Sequence, residues 1–295
     1  MIHYFLPGTG ICGGIKVGFQ LLAALRSVGA RAVAVTPDGA APQWFTASVP
    51  VVSEAEARGR LREEDAILFS LPHDHRRLAD VAARLVFHCQ GTDSMIDAIV
   101  DDPRVSLLSC WPQATRYMRA RGRDDVWEIG TAVGDAFFYA GRPKYEATIA
   151  YMPRRGLEIV SACRAHVGRG RYLAIDGLVE SQVADRMHRA EIYLATAVDE
   201  WFGLPALEAM AAGCVVLSVP VLGGMAYLDD GRNCRVAAPA ALPEVLAELL
   251  DPASRPARAR LRDAARATAG AYRLCLLRER VRAWLAAAPG LPRPS

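Results

Sequence analysis

The chain has 295 residues, of which 52% are hydrophobic and 23% are charged. This length suits two domains of ordinary size, and the composition excludes a disordered, collagen-like or disulfide-scaffold protein. The formal net charge of +3 gives no strong field that would draw the chain to nucleic acid. The N-terminal residues lack the basic start and long apolar run of a signal peptide, so we expect a cytoplasmic protein without a nucleic-acid partner.

Short apolar runs alternate with helical patterns, which is typical of parallel sheets covered by helices. The strands predicted in the first half are Ile2–Leu6, Ala32–Val35, Ala66–Leu71, Arg84–His88, Val105–Cys110 and Val126–Ile129. A helix is predicted over Gly14–Val28, because apolar residues recur there at steps of three and four.

A second series of the same kind follows, which predicts a second α/β domain. Its strands are Thr148–Met152, Tyr172–Ile175, Glu191–Thr196, Cys214–Val219 and Cys234–Ala237, and its helices are Leu204–Ala212 and Ala241–Leu250. Residues 134–143 carry glycine and proline without periodicity, so we place the domains at 1–140 and 141–270. The tail over Ala257–Ala287 predicts one or two helices.

The end of this tail, residues 271–288, has an apolar stripe and an arginine-rich face. We expect the stripe to pack back on the first domain. A basic amphipathic helix also leaves open a peripheral contact with the inner face of a membrane.

A glycine-rich loop follows the first predicted strand. Gly8, Gly10 and Gly13 have the G-x-G-x-x-G spacing of a dinucleotide-binding turn, between a strand and a helix. Glycines let the backbone approach a ligand, and free N–H groups at a helix start attract an anion. A plain tight turn has the same pattern, so the loop alone leaves open an NAD-dependent oxidoreductase, a nucleotide-sugar epimerase or neither.

The more specific pattern lies in the second half, where a strand runs into an acidic loop and then a helix. Glu200 and Glu208 are eight positions apart, Gly203 precedes the helix, and Gly213 ends it. Carboxylates accept hydrogen bonds from the vicinal hydroxyls of a sugar or ribose, and the helix start can hold an anion. Two solvated surface charges are the alternative interpretation.

This stretch resembles the donor-site signature of retaining GT-B glycosyltransferases of family 4, the glycosyl transferases group 1 type. The resemblance rests on Glu200-x7-Glu208 with Phe202-Gly203-Leu204-Pro205, and it extends over roughly residues 2–250. Residues 13–17 (GGIKV) resemble the N-terminal glycine loop of that family. Residues 223–233 resemble its closing loop, and residues 149–155 resemble the first strand of its C-terminal domain with the basic residues that follow.

The resemblance implies two Rossmann-like parallel-sheet domains that face each other across a cleft. The first domain would hold the acceptor and the second the nucleotide sugar. The second domain is shorter than usual by roughly a strand and a helix, which leaves open compensation by a homodimer. The implied reaction transfers a sugar from a nucleotide-diphosphate donor to a hydroxyl of a glycan, lipid or small molecule, with retention and without a cofactor.

The resemblance also implies roles for residues of the second domain. Glu200 would contact the donor sugar or support positive charge at its anomeric carbon, and Glu208 would bind the ribose hydroxyls. Arg154 or its neighbour Arg155 would pair with the diphosphate, with Arg164 as the alternative. The remaining donor-side candidates are the backbone N–H groups near Phe202, Gly203 and Leu204, together with Gly13 and Gly14.

Family members carry a histidine after a strand of the first domain. His88 is our first candidate for this catalytic position and Gln90 the second, while a histidine that only caps the strand end is the alternative. The acceptor-side candidates are His73, beside His75, together with Gln90 and Lys16. No Asp-x-Asp motif occurs in the chain, which argues against a metal-dependent class. A non-catalytic sugar-nucleotide-binding homologue is the third hypothesis.

Overall fold

The computed structural model describes residues 1–46, 48–288 and 291. The chain folds into two compact units. Unit 1 comprises Met1–Ala132 and the C-terminal segment from Leu274, and unit 2 comprises Val133–Arg273. The division falls a few residues before the boundary expected from the sequence, at the start of the glycine- and proline-containing segment.

Strands and helices alternate through both units. The strands are β1 (Ile2–Phe5), β2 (Ala32–Thr36), β3 (Val51–Ser53), β4 (Ala66–Phe69), β5 (Arg84–Cys89), β6 (Val105–Ser109), β7 (Trp127–Glu128), β8 (Tyr145–Tyr151), β9 (Arg171–Ala174), β10 (Ala190–Ala195), β11 (Val215–Ser218) and β12 (Arg235–Val236). The α-helices are α1 (Gly13–Ser27), α2 (Glu54–Arg60), α3 (Pro72–Arg77), α4 (Asp97–Val100), α5 (Pro112–Ala120), α6 (Leu157–Val167), α7 (Glu180–Arg189), α8 (Leu204–Ala211), α9 (Leu242–Leu250), α10 (Arg255–Gly270) and α11 (Leu274–Ala287).

Unit 1 is built on a seven-stranded sheet in the order β3-β2-β1-β4-β5-β6-β7, and its neighbouring strands are parallel. Strands β1 and β4 are buried at every position, because helices cover both faces of a parallel sheet. The C-terminal helix α11 packs on α1, where Val281 and Trp284 join Phe19 in one apolar core. Arg280 Nε donates a hydrogen bond to Ile129 O at 2.8 Å, which ties this helix to the end of β7.

Unit 2 is built on a five-stranded parallel sheet in the order β12-β11-β10-β8-β9. Its core joins Ile149, Ile192 and Val215 from the three central strands to Leu242 and Leu246 of α9. Because β10 lies between β8 and β11, the loops that follow these three strands leave the sheet at one edge. This edge carries most of the donor-side residues predicted from the sequence.

The prediction of an α/β fold with parallel sheets is confirmed, and each of the eleven predicted strands is present with shifted ends. The sequence analysis missed β3, a three-residue edge strand that is only half-buried. Such a short strand has too few positions to show an alternating pattern. The predicted tail forms two helices, α10 and α11, separated by Ala271–Arg273.

A buried ion pair stabilises unit 2 at the start of β10. Arg258 Nε donates to Glu191 Oε1 at 3.0 Å, and both side chains are almost removed from solvent. The other carboxylate oxygen of Glu191 accepts a 2.7 Å hydrogen bond from the backbone N–H of Ala147. Ala147 has a φ of 52°, a left-handed conformation that is unfavourable for a residue with a side chain. Glu191 therefore neutralises the buried guanidinium of Arg258. It also bonds the backbone of β8 at Ala147, where the conformation is strained.

Replacement of Glu191 by Ala should destabilise unit 2 by about 3–5 kcal/mol, since it leaves the Arg258 charge buried without its partner. The matched control is Glu146→Ala, which removes the partner of Arg255 in an exposed ion pair and should cost less than about 1 kcal/mol. Chemical denaturation followed by circular dichroism measures both values. Equal losses in the two variants would contradict the structural role assigned to Glu191.

Candidate active site

The acidic loop of unit 2 connects β10 to α8 and carries both predicted carboxylates. Asp199 and Gly203 have φ values of 59° and 74°, so the loop turns sharply before the helix begins. Glu200 lies in the loop with 35% of its side chain exposed, whereas Glu208 lies on α8 and is only 4% exposed. Gly203 is the N-cap of α8, so the N–H groups of the first turn are presented at this edge.

Tyr193 on β10 shows that the two carboxylates share one neighbourhood. Burial raises the pKa of its hydroxyl, and the proximity of Glu208, Cys214 and Glu200 raises it further. Glu200 and Glu208 therefore both lie within electrostatic range of one buried side chain of the central strand. Of these two neighbours of Tyr193, Glu200 is accessible and Glu208 is nearly buried.

The basic loop between β8 and α6 lies directly against the acidic loop. Gly156 has a φ of 70°, and a Cβ at this position would overlap the carbonyl oxygen of Thr196. The hydroxyl of Thr196 donates a 2.9 Å hydrogen bond to the carbonyl oxygen of Arg155. As a result, Arg155 Nη1 lies 3.3 Å from Glu200 Oε2, and both side chains remain partly exposed.

The three candidate arginines differ in what they contact. Arg155 pairs with Glu200, and Arg154 is exposed on the same short loop. Arg164 lies on α6 with its guanidinium 4.8 Å from the ring centroid of Tyr172, so it stacks on an aromatic ring instead. Arg155 is thus brought to the predicted carboxylate of Glu200.

The closing loop after β11 is held by buried hydrogen bonds. The Tyr227 hydroxyl donates to Gly203 O at 2.7 Å, and the backbone N–H of Leu222 donates to Glu200 O at 2.8 Å. Asn233 fixes the loop itself, because its side chain accepts from Asp229 N and donates to Tyr227 O. The sequence analysis missed Tyr227, since a single tyrosine in an irregular loop has no periodic or motif signal.

Phe202 contributes packing to this arrangement. Its side chain is buried, and its ring centroid lies 5.1 Å from that of Tyr227 and 6.2 Å from that of Tyr272. Phe202, Tyr227 and Tyr272 form an aromatic cluster that packs beside the turn at Gly203. The roles predicted at Phe202, Gly203 and Leu204 concern backbone N–H groups, and these are compatible with a buried ring.

In unit 1 the glycine loop lies against Gln90. A Cβ at Gly14 would lie 2.5 Å from Gln90 Oε1, so a larger residue here would force the end of the Gln90 side chain to move. Gln90 Nε2 donates to Gly14 O at 3.3 Å, and its side chain is half-buried. Gly13 has open space around its Cα, whereas Lys16 in the first turn of α1 is only 5% exposed.

His88 lies in β5 and is buried inside unit 1. Its side chain has no exposed surface, and its two ring nitrogens contact Tyr4 Oη at 2.8 Å and Cys110 Sγ at 3.0 Å. Burial lowers the pKa of the imidazole to about 3, so the ring is neutral near pH 7. In this structure no atom of His88 is available to touch a substrate, whereas Gln90 is.

The other two histidines named in the sequence analysis, His73 and His75, lie in α3, which follows β4. His73 is 58% exposed, while His75 Nε2 is 3.0 Å from Asp102 and its ring stacks on Phe69. Since β1, β4 and β5 are adjacent parallel strands, the glycine loop, His73 and Gln90 follow strands that end at the same edge of the sheet. The side chain of His75 is occupied by its contacts with Asp102 and Phe69.

Two searches of the described residues bear on other kinds of site. No three His, Cys, Asp or Glu side chains among them are grouped so that they could hold a metal ion. No helix within the described ranges combines the length and the apolar composition that a membrane span requires.

Comparison with known proteins adds independent findings. Residues 175–268 match the model of the family described as Glycosyl transferases group 1. This segment is about a third of the chain, lies within unit 2, and contains both Glu200 and Glu208. Among proteins with curated descriptions, none matches the sequence.

Solved structures resemble the whole chain at low sequence identity. HepE from Anabaena in complex with UDP-glucose is 13% identical with a TM-score of 0.74, covering 97% of this chain and 99% of that chain. Sucrose-phosphate synthase from Thermosynechococcus elongatus is 16% identical with a TM-score of 0.70, covering 97% and 99%. WaaG, a glycosyltransferase involved in lipopolysaccharide biosynthesis, is 13% identical with a TM-score of 0.70, covering 98% and 100%.

The chain has the GT-B fold. At these identities the likeness establishes the fold, and the expectation drawn from the sequence motifs is confirmed at that level. The matched family segment covers the acidic loop, the closing loop and most of α10.

The close packing of Gly156 against Thr196 leads to a stability prediction. Gly156→Ala should lower the free energy of unfolding of unit 2 by several kcal/mol, since the methyl group overlaps a backbone oxygen and φ is positive. Gly168→Ala at the other end of α6 is the matched control. Gly168 has a φ of 61°, but nothing lies within 4 Å of its Cβ position, so only the backbone cost of about 1 kcal/mol applies. Thermal unfolding of both variants measures the difference, and similar melting points would contradict the contact.

Proposed function

We propose that this protein is a glycosyltransferase of the group 1 type. It moves a sugar from a nucleotide-diphosphate donor to a hydroxyl acceptor, with retention at the anomeric carbon and without a metal ion. The observation that carries the proposal is the Arg155–Glu200 contact of 3.3 Å, which lies beside the start of α8 and involves the matched family segment. A cation, a carboxylate and free helix N–H groups are the groups that a sugar diphosphate requires.

In this proposal the diphosphate binds at the basic loop and the start of α8. Arg155 exchanges its exposed contact with Glu200 for the phosphate oxygens, and Arg154 adds a second positive charge from the same loop. Backbone N–H groups near Gly203 and Leu204 point to the same edge. Together they neutralise the charge that develops on the leaving group as the glycosidic bond breaks, which is the work that a metal ion does in other enzymes.

The two glutamates have different environments, which suits different roles. Glu200 is accessible, so its carboxylate can approach the sugar and stabilise positive charge at the anomeric carbon. Glu208 is nearly buried on a rigid helix, where hydrogen bonds from ribose hydroxyls to a carboxylate are strengthened by the low local dielectric. We assign sugar contact to Glu200 and ribose binding to Glu208.

The acceptor is proposed to bind at the carboxyl edge of the unit 1 sheet. Gln90 and the exposed His73 are the side chains suited to contact its hydroxyl. Lys16 is buried in the first turn of α1, so we assign it to support of the glycine loop. We place Gln90 rather than His88 at the position that faces the substrate, because only Gln90 has exposed surface there.

A ligand panel separates this proposal from the alternative of an NAD-dependent enzyme. UDP, GDP, TDP and their sugars are compared with NAD by thermal shift, beginning with UDP because the HepE structure contains UDP-glucose. A ligand at one hundred times its Kd stabilises the native state by about 2.7 kcal/mol. We expect a rise of several degrees with one nucleoside diphosphate and none with NAD; the reverse result would assign the protein to the other class.

Substitution of Glu200 tests the catalytic assignment. Glu200→Gln should lower turnover by about two to three orders of magnitude, because the neutral amide no longer stabilises developing positive charge. Release of the nucleoside diphosphate from the donor identified in the panel is the measurement. Glu244→Gln, on the surface of α9, is the control and should retain full turnover with an equal melting point. Unchanged turnover in Glu200→Gln would refute the role.

A further inference from the structure

A continuous line of hydrogen bonds in unit 1 joins the core of the sheet to the glycine loop. Cys110 Sγ lies 3.0 Å from His88 Nε2, and His88 Nδ1 lies 2.8 Å from the hydroxyl of Tyr4. Gln90 Nε2 then donates to Tyr4 Oη at 3.2 Å and to Gly14 O at 3.3 Å. The line therefore ends at Gln90, a half-buried residue at the edge of the sheet.

The inner members of this line are completely enclosed. Tyr4 and His88 have no exposed surface, and Cys110 is 3% exposed. The three side chains come from β1, β5 and the end of β6, so their spacing is set by the sheet rather than by a loop. Buried polar groups must be hydrogen-bonded, and a fully satisfied buried network holds its members in one geometry.

The protonation states determine which group donates and which accepts in each hydrogen bond of the line. Burial lowers the pKa of His88 to about 3 and raises the pKa of the Cys110 thiol well above its usual range, so both groups are neutral. A neutral imidazole has one N–H donor and one acceptor nitrogen. Because Tyr4 Oη accepts from Gln90, its own proton can go to His88 Nδ1, and His88 Nε2–H then donates to Cys110 Sγ. Each member of the line thus has a partner.

The orientation of the Gln90 amide follows from these contacts. Its nitrogen is engaged by Tyr4 and Gly14, and its oxygen lies 2.5 Å from the position that a Cβ at Gly14 would occupy. Without the Tyr4 hydroxyl, the Gly14 carbonyl would be the remaining partner of the amide nitrogen, and the side chain would gain rotational freedom. The Tyr4 hydroxyl also has Ser70 as a hydrogen-bond partner. The bond to His88 Nδ1 fixes the direction of the hydroxyl proton, which leaves the oxygen lone pairs to accept from Gln90.

We infer that His88 is a positioning residue, which acts through Tyr4 to fix the Gln90 carboxamide against the glycine loop. The contribution of this geometry to turnover rests on the proposed function, whereas the geometry itself does not. This assignment differs from the catalytic role expected for His88 from the sequence, because His88 reaches the edge of the sheet only through other side chains.

The geometric part is tested by nuclear magnetic resonance on 15N-labelled full-length protein. The side-chain amide signals of Gln90 are identified by their loss in Gln90→Ala. Tyr4→Phe and His88→Phe should shift these signals, because each variant breaks the line at the same bond. His88→Asn should keep them close to their original positions, since the Asn amide can place a polar atom near the site of Nδ1. Tyr117→Phe removes a hydroxyl that bonds Asp97 elsewhere in unit 1 and should leave them unchanged.

Signals that do not move in Tyr4→Phe and His88→Phe would overturn the inference. This readout is independent of activity, so it decides the geometry even if no sugar is transferred. Tyr4→Phe removes only one oxygen atom and should fold normally. It therefore keeps the test valid even if His88→Phe fails to fold. Absence of transfer from every nucleotide sugar, with the shifts present, would instead count against the proposed function alone.

Turnover provides the second test in a double-mutant cycle, with UDP-glucose as the first donor. Tyr4→Phe and His88→Phe should each lower kcat about 5–10-fold, the loss expected for one hydrogen bond, and leave the donor KM unchanged. In the Gln90→Ala background the same substitutions should have no further effect, because they act through Gln90. A merely structural role would lower kcat equally in both backgrounds, and that result would overturn the inference.

Discussion

The contact between Gly156 and Thr196 determines the geometry of the unit 2 site. A glycine in the left-handed region lets the basic loop approach the backbone of the acidic loop more closely than any side chain would allow. The Thr196 hydroxyl then bonds the carbonyl of Arg155, and the guanidinium lies within 3.3 Å of Glu200. Two loops from different strands are thereby held as one surface, and the proposed binding of a sugar diphosphate depends on this surface.

Buried hydrogen bonds support the candidate binding edge of each unit. In unit 2, Tyr227 and Asn233 hold the turn at Gly203 from below. In unit 1, Tyr4 and His88 hold Gln90 in the same way. Buried networks of this kind are costly when a partner is missing and rigid when all partners are present. They explain why polar residues with little or no exposed surface lie close to both candidate binding edges.

The parallel topology explains why residues distant in sequence meet. In unit 2, β10 lies between β8 and β11, so the basic, acidic and closing loops leave adjacent strands at one edge. In unit 1, β1, β4 and β5 are neighbours, so the glycine loop and Gln90 share an edge although 76 positions separate Gly14 from Gln90. Ligands of open α/β sheets bind at such carboxyl edges, and the chemistry proposed for each unit follows from what its edge presents.

The amino-acid sequence by itself determined the two α/β units, eleven of the twelve strands in the described part of the chain, and the choice of Glu200, Glu208 and the adjacent arginines as candidate site residues. These features are local, because periodicity, helix-start residues and motif spacing each depend on residues that are close in sequence. Tertiary structure alone decided that Arg155 contacts Glu200, and that His88 is fully buried while Gln90 is only partly buried. Both outcomes depend on the register between strands and on the packing beneath the loops, which no single segment encodes. Tyr227 and Thr196 became visible for the same reason: their hydroxyls act on residues that are remote in sequence.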